Sequence, residues 1–257
     1  MRIAILPDNE AIGKVGAELI AQLYQRKPDA ILGLATGSSP LPIYREVIKL
    51  HQAGKVSFAQ AQAFTLDEYV GIDADHPQRY RNFIRAEFTD QVDFDDAKVN
   101  SPEGNATDLE AACESYDAAI KAAGGVDLQI LGIGSDGHIA FNEPGGSLAS
   151  RTHVGVLTEQ TRTDNARFFD NDIEKVPTHC VTQGLGTIME ARSLVLVAQG
   201  ANKAEAVRQM VEGAISAHWP ATIMQMHPDA WILLDEDAAA GLKLADYYRE
   251  VWEKSRV

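Results

Sequence analysis

The sequence predicts an α/β protein: a mostly parallel, doubly wound, Rossmann-like sheet with helices on both faces. Three observations predict it. Short apolar runs alternate with longer amphipathic ones along the whole chain. The short runs are mainly apolar, without strict alternation, as strands buried on both faces are. Glycine-rich turns follow two of these runs, at the strand ends where open α/β sheets bind ligands.

The elements follow in order. Residues 2–6 (Arg-Ile-Ala-Ile-Leu) read as the first strand, broken too soon by Pro7-Asp8 to serve as a signal peptide. Residues 9–26 place Ile12, Val15, Leu19, Ile20 and Leu23 at helical spacing. A buried strand is expected over 30–34 and a helix over 39–51, with Ser39 as its cap and Pro40 in its first turn. A short strand at 62–66 precedes helices at 76–88 and 106–123. The apolar run 126–131 is the next strand and ends in the most distinctive segment of the chain. A strand at 192–198, a helix at 202–212, a strand at 230–234 and a helix at 238–254 complete the pattern. A single domain over 1–257 is expected. The polar stretch 151–180 offers few core residues and reads as a mobile lid or a surface excursion.

Composition narrows the function. The formal net charge of −14 argues against nucleic acid, whose phosphates demand clustered Lys and Arg. Any anion site must be built locally from backbone amides and a few placed cations. No apolar stretch is long enough to cross a bilayer, so no membrane partner is expected. Cys113 and Cys180 lie far apart with no Cys-x-x-Cys spacing, which points to buried free thiols and a cytoplasmic location.

Three constellations carry chemistry. After the 30–34 strand, Thr36-Gly37-Ser38-Ser39-Pro40 is a small hydroxyl-rich turn at a helix start, suited to an anion. It is not a Walker motif, since no Lys follows the glycine; a capped helix without ligand is the plainer alternative. After the 62–66 strand, Asp67-Glu68 sets two carboxylates side by side. One of them facing inward could act as a general base, whereas an exposed pair would be a solvated turn. After the 126–131 strand, residues 132–144 bring Asp136, His138, Asn142 and Glu143 into one loop. His138 can move a proton near neutral pH, with Asp136 or Glu143 to orient it. One His with scattered carboxylates lacks a zinc ligand set, so no metal is expected. Arg167 and Lys203 could each clamp a phosphate or be solvated surface charges.

These segments together resemble the glucosamine-6-phosphate deaminase (isomerase) family over nearly the whole chain. The resemblance rests on Leu34-Ala35-Thr36-Gly37, Leu66-Asp67-Glu68-Tyr69-Val70-Gly71 and above all Asp136-Gly137-His138-Ile139-Ala140-Phe141-Asn142-Glu143-Pro144. It continues through 147–152, 165–172, 176–177 and 185–187. It implies conversion of glucosamine 6-phosphate to fructose 6-phosphate and ammonia without cofactor or metal. By that resemblance Asp67 moves the proton between carbons 2 and 1, and His138 opens the sugar ring with Asp136 and Glu143. Thr36, Gly37, Ser38, Ser39, Arg167 and Lys203 hold the phosphate. The related 6-phosphogluconolactonases share the fold and a Gly-x-Asp-Gly-His loop, and a lactonase is the alternative; a non-catalytic sugar-phosphate sensor is a third reading. Allosteric members carry basic residues just after the Ser-Arg-Thr run, where this chain has His153 and Gly155. Weak or absent activation by N-acetylglucosamine 6-phosphate is therefore expected. A homo-oligomer is left open.

Overall fold

The computed structural model describes residues 1–255; the last two residues of the expected 1–257 unit lie outside the described residues. The strands are β1 Arg2–Leu6, β2 Ile31–Leu34, β3 Gln62–Thr65, β4 Asp67–Tyr69, β5 Val99–Asn100, β6 Leu128–Leu131, β7 His153–Val156, β8 His179–Thr182, β9 Ser193–Ala198 and β10 Ala230–Asp235. The helices are α1 Asn9–Arg26, α2 Leu41–Gln52, α3 Tyr80–Glu87, α4 Leu109–Ala122, α5 Glu159–Asn165, α6 Leu185–Met189, α7 Ala204–Glu212, α8 Glu236–Ala239 and α9 Ala245–Ser255.

Seven strands form one parallel sheet in the order β1-β10-β9-β6-β2-β3-β5. The order reverses between β2 and β6: from β2 the chain winds outward through β3 and β5 on one side, then returns to β6 and winds through β9 to β10, which pairs with the first strand, β1, at the other edge. A crevice opens at such a reversal beyond the carboxyl ends of the strands. Leu32, Leu34, Ile130, Leu194, Leu196, Ile232 and Leu233 are fully buried, as strands covered on both faces require. Gly33 on β2 has a specific cause. A Cβ there would come within 2.0 Å of the buried Gln129 amide on β6, so any other residue would force that side chain to shift.

A second, three-stranded antiparallel sheet, β4-β8-β7, was not expected from the sequence. It draws β7 and the first half of β8 from the 151–180 stretch. That stretch is also less polar inside than its composition suggests. Leu157, Ala166, Phe169 and Val176 are buried with Tyr69, Ile72, Phe141 and Cys180 in an apolar cluster of their own.

Smaller departures follow local rules. The helix expected over 39–51 begins at Leu41 with Pro40 at its cap and no side-chain cap bond, so Ser39 does not cap it. The helix expected over 238–254 is two, α8 and α9, separated at Gly241. Helices expected at 76–88 and 202–212 are shorter, the latter starting with a 3-10 turn at Ala201–Lys203. Cys113 and Cys180 are buried free thiols. Among the described residues, no helix is long and apolar enough to cross a membrane.

Candidate active site

The first wall of the crevice is made where the chain leaves one sheet for the other. Leu66 N still donates to Leu34 O of the parallel sheet (3.2 Å), while Gln183 N donates to Leu66 O (2.8 Å). Thr65 O, one residue earlier, accepts from Tyr116 Oη (2.7 Å) and Gln183 Nε2 (2.9 Å). This braced junction delivers Asp67 as the first residue of β4, opposite Thr182. Asp67 is therefore a strand residue rather than part of a turn, and it is buried at 5% exposure. Burial, and then the neighbouring Glu68 carboxylate, push its carboxyl well above the usual carboxylate range.

Glu68 points the other way and serves the fold. Its two oxygens accept from Tyr69 N (3.0 Å), Tyr80 N (2.9 Å) and Arg81 N (3.1 Å). It thus satisfies amides at the start of α3 that have no helical partner.

The second wall is the turn after β2. Tyr44 Oη donates to Ala35 O (2.7 Å) and accepts from Ala35 N (3.1 Å), pinning the end of the strand. Gly37 then turns with φ +81°, a conformation that costs other residues energy. Thr36, Gly37, Ser38 and Ser39 all line the cleft. Facing them are Lys203, from the 3-10 turn after β9, and Arg167, from a 3-10 turn at Ala166–Phe168 directly after α5. Gly200, at φ +86°, makes the bend before Lys203, its N–H held by Asp235 at 2.9 Å. Burial pushes the Lys203 ammonium down, opposed by Asp164 and Asp136. Two cations thus converge on a hydroxyl-lined turn in a protein of net charge −14, a local solution for binding an anion.

The third wall is the loop after β6. Gly137 has φ +84°, and a Cβ there would meet Trp219 at 2.8 Å; Ala221 N donates to Gly137 O at 2.8 Å. Ala140, at φ +53°, is held in a strained left-handed conformation. Asn142 reads as structural: its amide donates to Ile139 O (3.0 Å) and Gln183 O (2.8 Å). The loop sets His138 Nδ1 at 2.8 Å from Asp136 Oδ1 and 3.7 Å from Glu143 Oε2. The approach to Asp136 is short but bent, so Nδ1 has no well-aligned hydrogen bond. Burial works against the Asp136 charge. The His138 imidazole and then the His138 N–H, at 3.1 Å, outweigh it and hold the carboxyl below the usual carboxylate range.

Asp67, His138, Thr36, Gly37, Ser38, Ser39, Arg167 and Lys203 therefore line one cleft of about 360 Å³. Asp136 and Glu143 do not line it; they stand behind His138. The two carboxylates are not scattered, as the sequence suggested. One donor atom each from Asp136, His138 and Glu143 lies within 4.8 Å of the others, a set that could hold a metal ion. Sequence reasoning missed Tyr80, Asn165 and Gln199, which also line the cleft. Tyr80 Oη and Asn165 Nδ2 both donate to Tyr69 Oη, at 3.2 and 3.0 Å. Two of them carried a signal of position alone: Asn165 lies two residues before Arg167, and Gln199 directly follows a clear strand.

The family model described as glucosamine-6-phosphate isomerases/6-phosphogluconolactonase matches residues 9–232. The chain belongs to this family. A glucosamine-6-phosphate deaminase of Mycolicibacterium smegmatis is 62% identical over 98% of this chain and 97% of its own. One of Beutenbergia cavernae is 58% identical over the same shares. A solved structure of a monomeric glucosamine-6-phosphate deaminase superposes with a TM-score of 0.91 at 41% identity, covering 94% of this chain and 100% of that one. The 6-phosphogluconolactonase of Trypanosoma brucei, at a TM-score of 0.75 and 21% identity over 94% and 98% of the two chains, shares the fold of the family.

Proposed function

We propose that the protein converts glucosamine 6-phosphate and water to fructose 6-phosphate and ammonia. One observation carries the residue assignment: a buried carboxyl with a raised affinity for protons, Asp67, lines the same cleft as an imidazole and an anion corner. The phosphate sits in the turn Thr36-Gly37-Ser38-Ser39 under Arg167 and Lys203. This seats carbons 1 and 2 at the other end, between Asp67 and His138. His138, with Asp136 and Glu143 behind it, takes the proton of the anomeric hydroxyl and returns it to the ring oxygen as the C1–O5 bond breaks. Asp67 then removes the proton from carbon 2 while the substrate's ammonium passes a proton to O1, giving an enolamine. The same carboxylic acid returns that proton to carbon 1, leaving an iminium at carbon 2. Water adds there, and ammonia leaves to give the ketone. A single carboxylate serves both carbons because they are adjacent. A raised proton affinity suits a group that must both take and give.

The deaminase relatives at 54–62% identity support this reading over the lactonase, whose solved examples are 16–21% identical and speak for the fold alone. Acid–base groups facing an anion corner support an enzyme over a non-catalytic sensor. A cytoplasmic location fits the two free thiols, and a homo-oligomer is tested by light scattering, where a monomer mass removes it. The deciding assay offers both substrates to the purified chain. Ammonia and fructose 6-phosphate formed in equal amounts from glucosamine 6-phosphate are expected. Acid from 6-phosphogluconolactone with no ammonia from the amino sugar would overturn the reading.

A further inference from the structure

Glu143 is anchored to α5 rather than to the loop it belongs to. Its Oε1 accepts from Thr161 Oγ1 at 2.7 Å and lies 3.3 Å from both Thr158 N and Thr158 Oγ1. Its Oε2 is buried, makes no hydrogen bond, and is the oxygen 3.7 Å from His138 Nδ1. One carboxylate oxygen is thus fixed to the helix and the other is left beside the imidazole. Thr161 is itself buried at 3% exposure and lines the cleft. Its N–H donates to Thr158 Oγ1 at 3.2 Å, the cap of α5. Each hydroxyl has a single hydrogen. The short contact assigns that of Thr161 to Glu143, while Thr158 can give its own either to Glu143 or to Thr161, 3.0 Å away.

Five residues, 162–166, separate Thr161 from Arg167, and all of them are helical. Asn165, between the two, is tied to Tyr69 Oη. Thr161 and Arg167 thus lie on one continuous helical segment. We propose that Thr161 is a positioning residue: its hydroxyl sets Glu143 against His138 and so links ring opening to the seating of phosphate under Arg167. The proposal rests on the assignment of ring opening to His138 made above.

The test uses the full chain and glucosamine 6-phosphate, with and without deuterium at carbon 2. Thr161→Ala and Thr161→Ser differ by one oxygen atom. Thr161→Ala lowers kcat about tenfold or more, the worth of a hydrogen bond to a charged group. KM stays within about twofold, because the phosphate corner is intact. Thr161→Ser restores most of kcat. The isotope effect on kcat shrinks toward unity in Thr161→Ala and returns in Thr161→Ser, because slowed ring opening masks the later proton abstraction; a general loss of structure would not select that step. Unchanged kcat in Thr161→Ala overturns the proposal. So does a Ser variant as slow as the Ala variant, or a slowed reaction with an isotope effect as large as that of the unaltered protein. Should Thr161→Ala fail to fold, Thr161→Val, which keeps the side-chain shape, reads the same quantities. Arg167→Ala tests the link from the other end of the segment: it lowers kcat as well as raising KM, and a raised KM with unchanged kcat overturns the link. An unaltered protein that releases no ammonia overturns the deaminase reading; one that does, with variants that match it, overturns this inference alone.

Discussion

Asp67 is a carboxylic acid placed where water hardly reaches, and that placement has two consequences of opposite sign. As a base it must be ionised, so kcat/KM falls as pH drops through its raised ionisation range. The acid limb of the pH profile is expected above the usual carboxylate range near 3.8. As a member of the fold it is better left protonated. Its affinity for protons is higher folded than unfolded, so its contribution to stability is present below about pH 3.8 and is lost as pH rises through the raised range. Asp67→Asn keeps the shape and removes the charge. Turnover is expected to fall about 10²–10⁴-fold, the usual worth of general acid–base catalysis. The melting temperature is expected to rise, by more near pH 8 than near pH 5. A variant that is fully active would end the base assignment, and one whose melting gain does not grow with pH would deny the buried charge. The sequence shows that Asp67 and Glu68 are adjacent. It does not show which of them faces inward, because that depends on β4 pairing with β8, more than a hundred residues on. The same limit applies to Asp136 and Glu143, whose distance from His138 is set by a turn rather than by spacing.

At the scale of elements, the parallel sheet was legible because each of its longer strands is a continuous apolar run between helical patterns. The small antiparallel sheet was not. Its strands are three and four residues long, and β7 (His-Val-Gly-Val) and β8 (His-Cys-Val-Thr) carry neither sustained alternation nor length. The loop after β6 also carries the chain from one sheet to the other, and its geometry depends on glycine. Gly137 lies at φ +84°, with the Trp219 ring where a Cβ would go, and its carbonyl is held by Ala221 from the 3-10 helix Pro220–Met226. Gly137→Ala therefore meets backbone strain and a crowded ring together. The expected cost is about 1–3 kcal/mol, seen as a melting temperature lower by about 2–4 °C for each kcal/mol. kcat is expected to fall as well, since the same residue separates Asp136 from His138. A variant with unaltered melting and rate would mean that the loop tolerates another path past Trp219.

At the scale of the whole molecule, regulation by an anion needs a second place where cations converge, and among the described residues the face carrying β7 does not offer one. His153 turns its ring back to its own chain, with Nδ1 at 2.8 Å from Arg151 O, and Gly155 has no side chain. The nearby cation in sequence, Arg151, is already engaged by Asp117 (3.3 Å) and Glu190 (2.7 Å). Asp117 also accepts from Thr152, next to β7, and from Thr187. With a net charge of −14, the molecule has no surplus of positive potential to draw a sugar phosphate to such a surface. The cleft differs because Arg167 and Lys203 line it together with Thr36, Ser38 and Ser39. The rate is therefore expected to rise hyperbolically with glucosamine 6-phosphate and to respond to N-acetylglucosamine 6-phosphate only as a competitor for the cleft, if at all. Initial rates across a substrate series, with and without the acetylated sugar, check this. A sigmoidal curve that turns hyperbolic on its addition would require a second anion site and a coupling free energy between the two, and would show that side chains outside β7 build it.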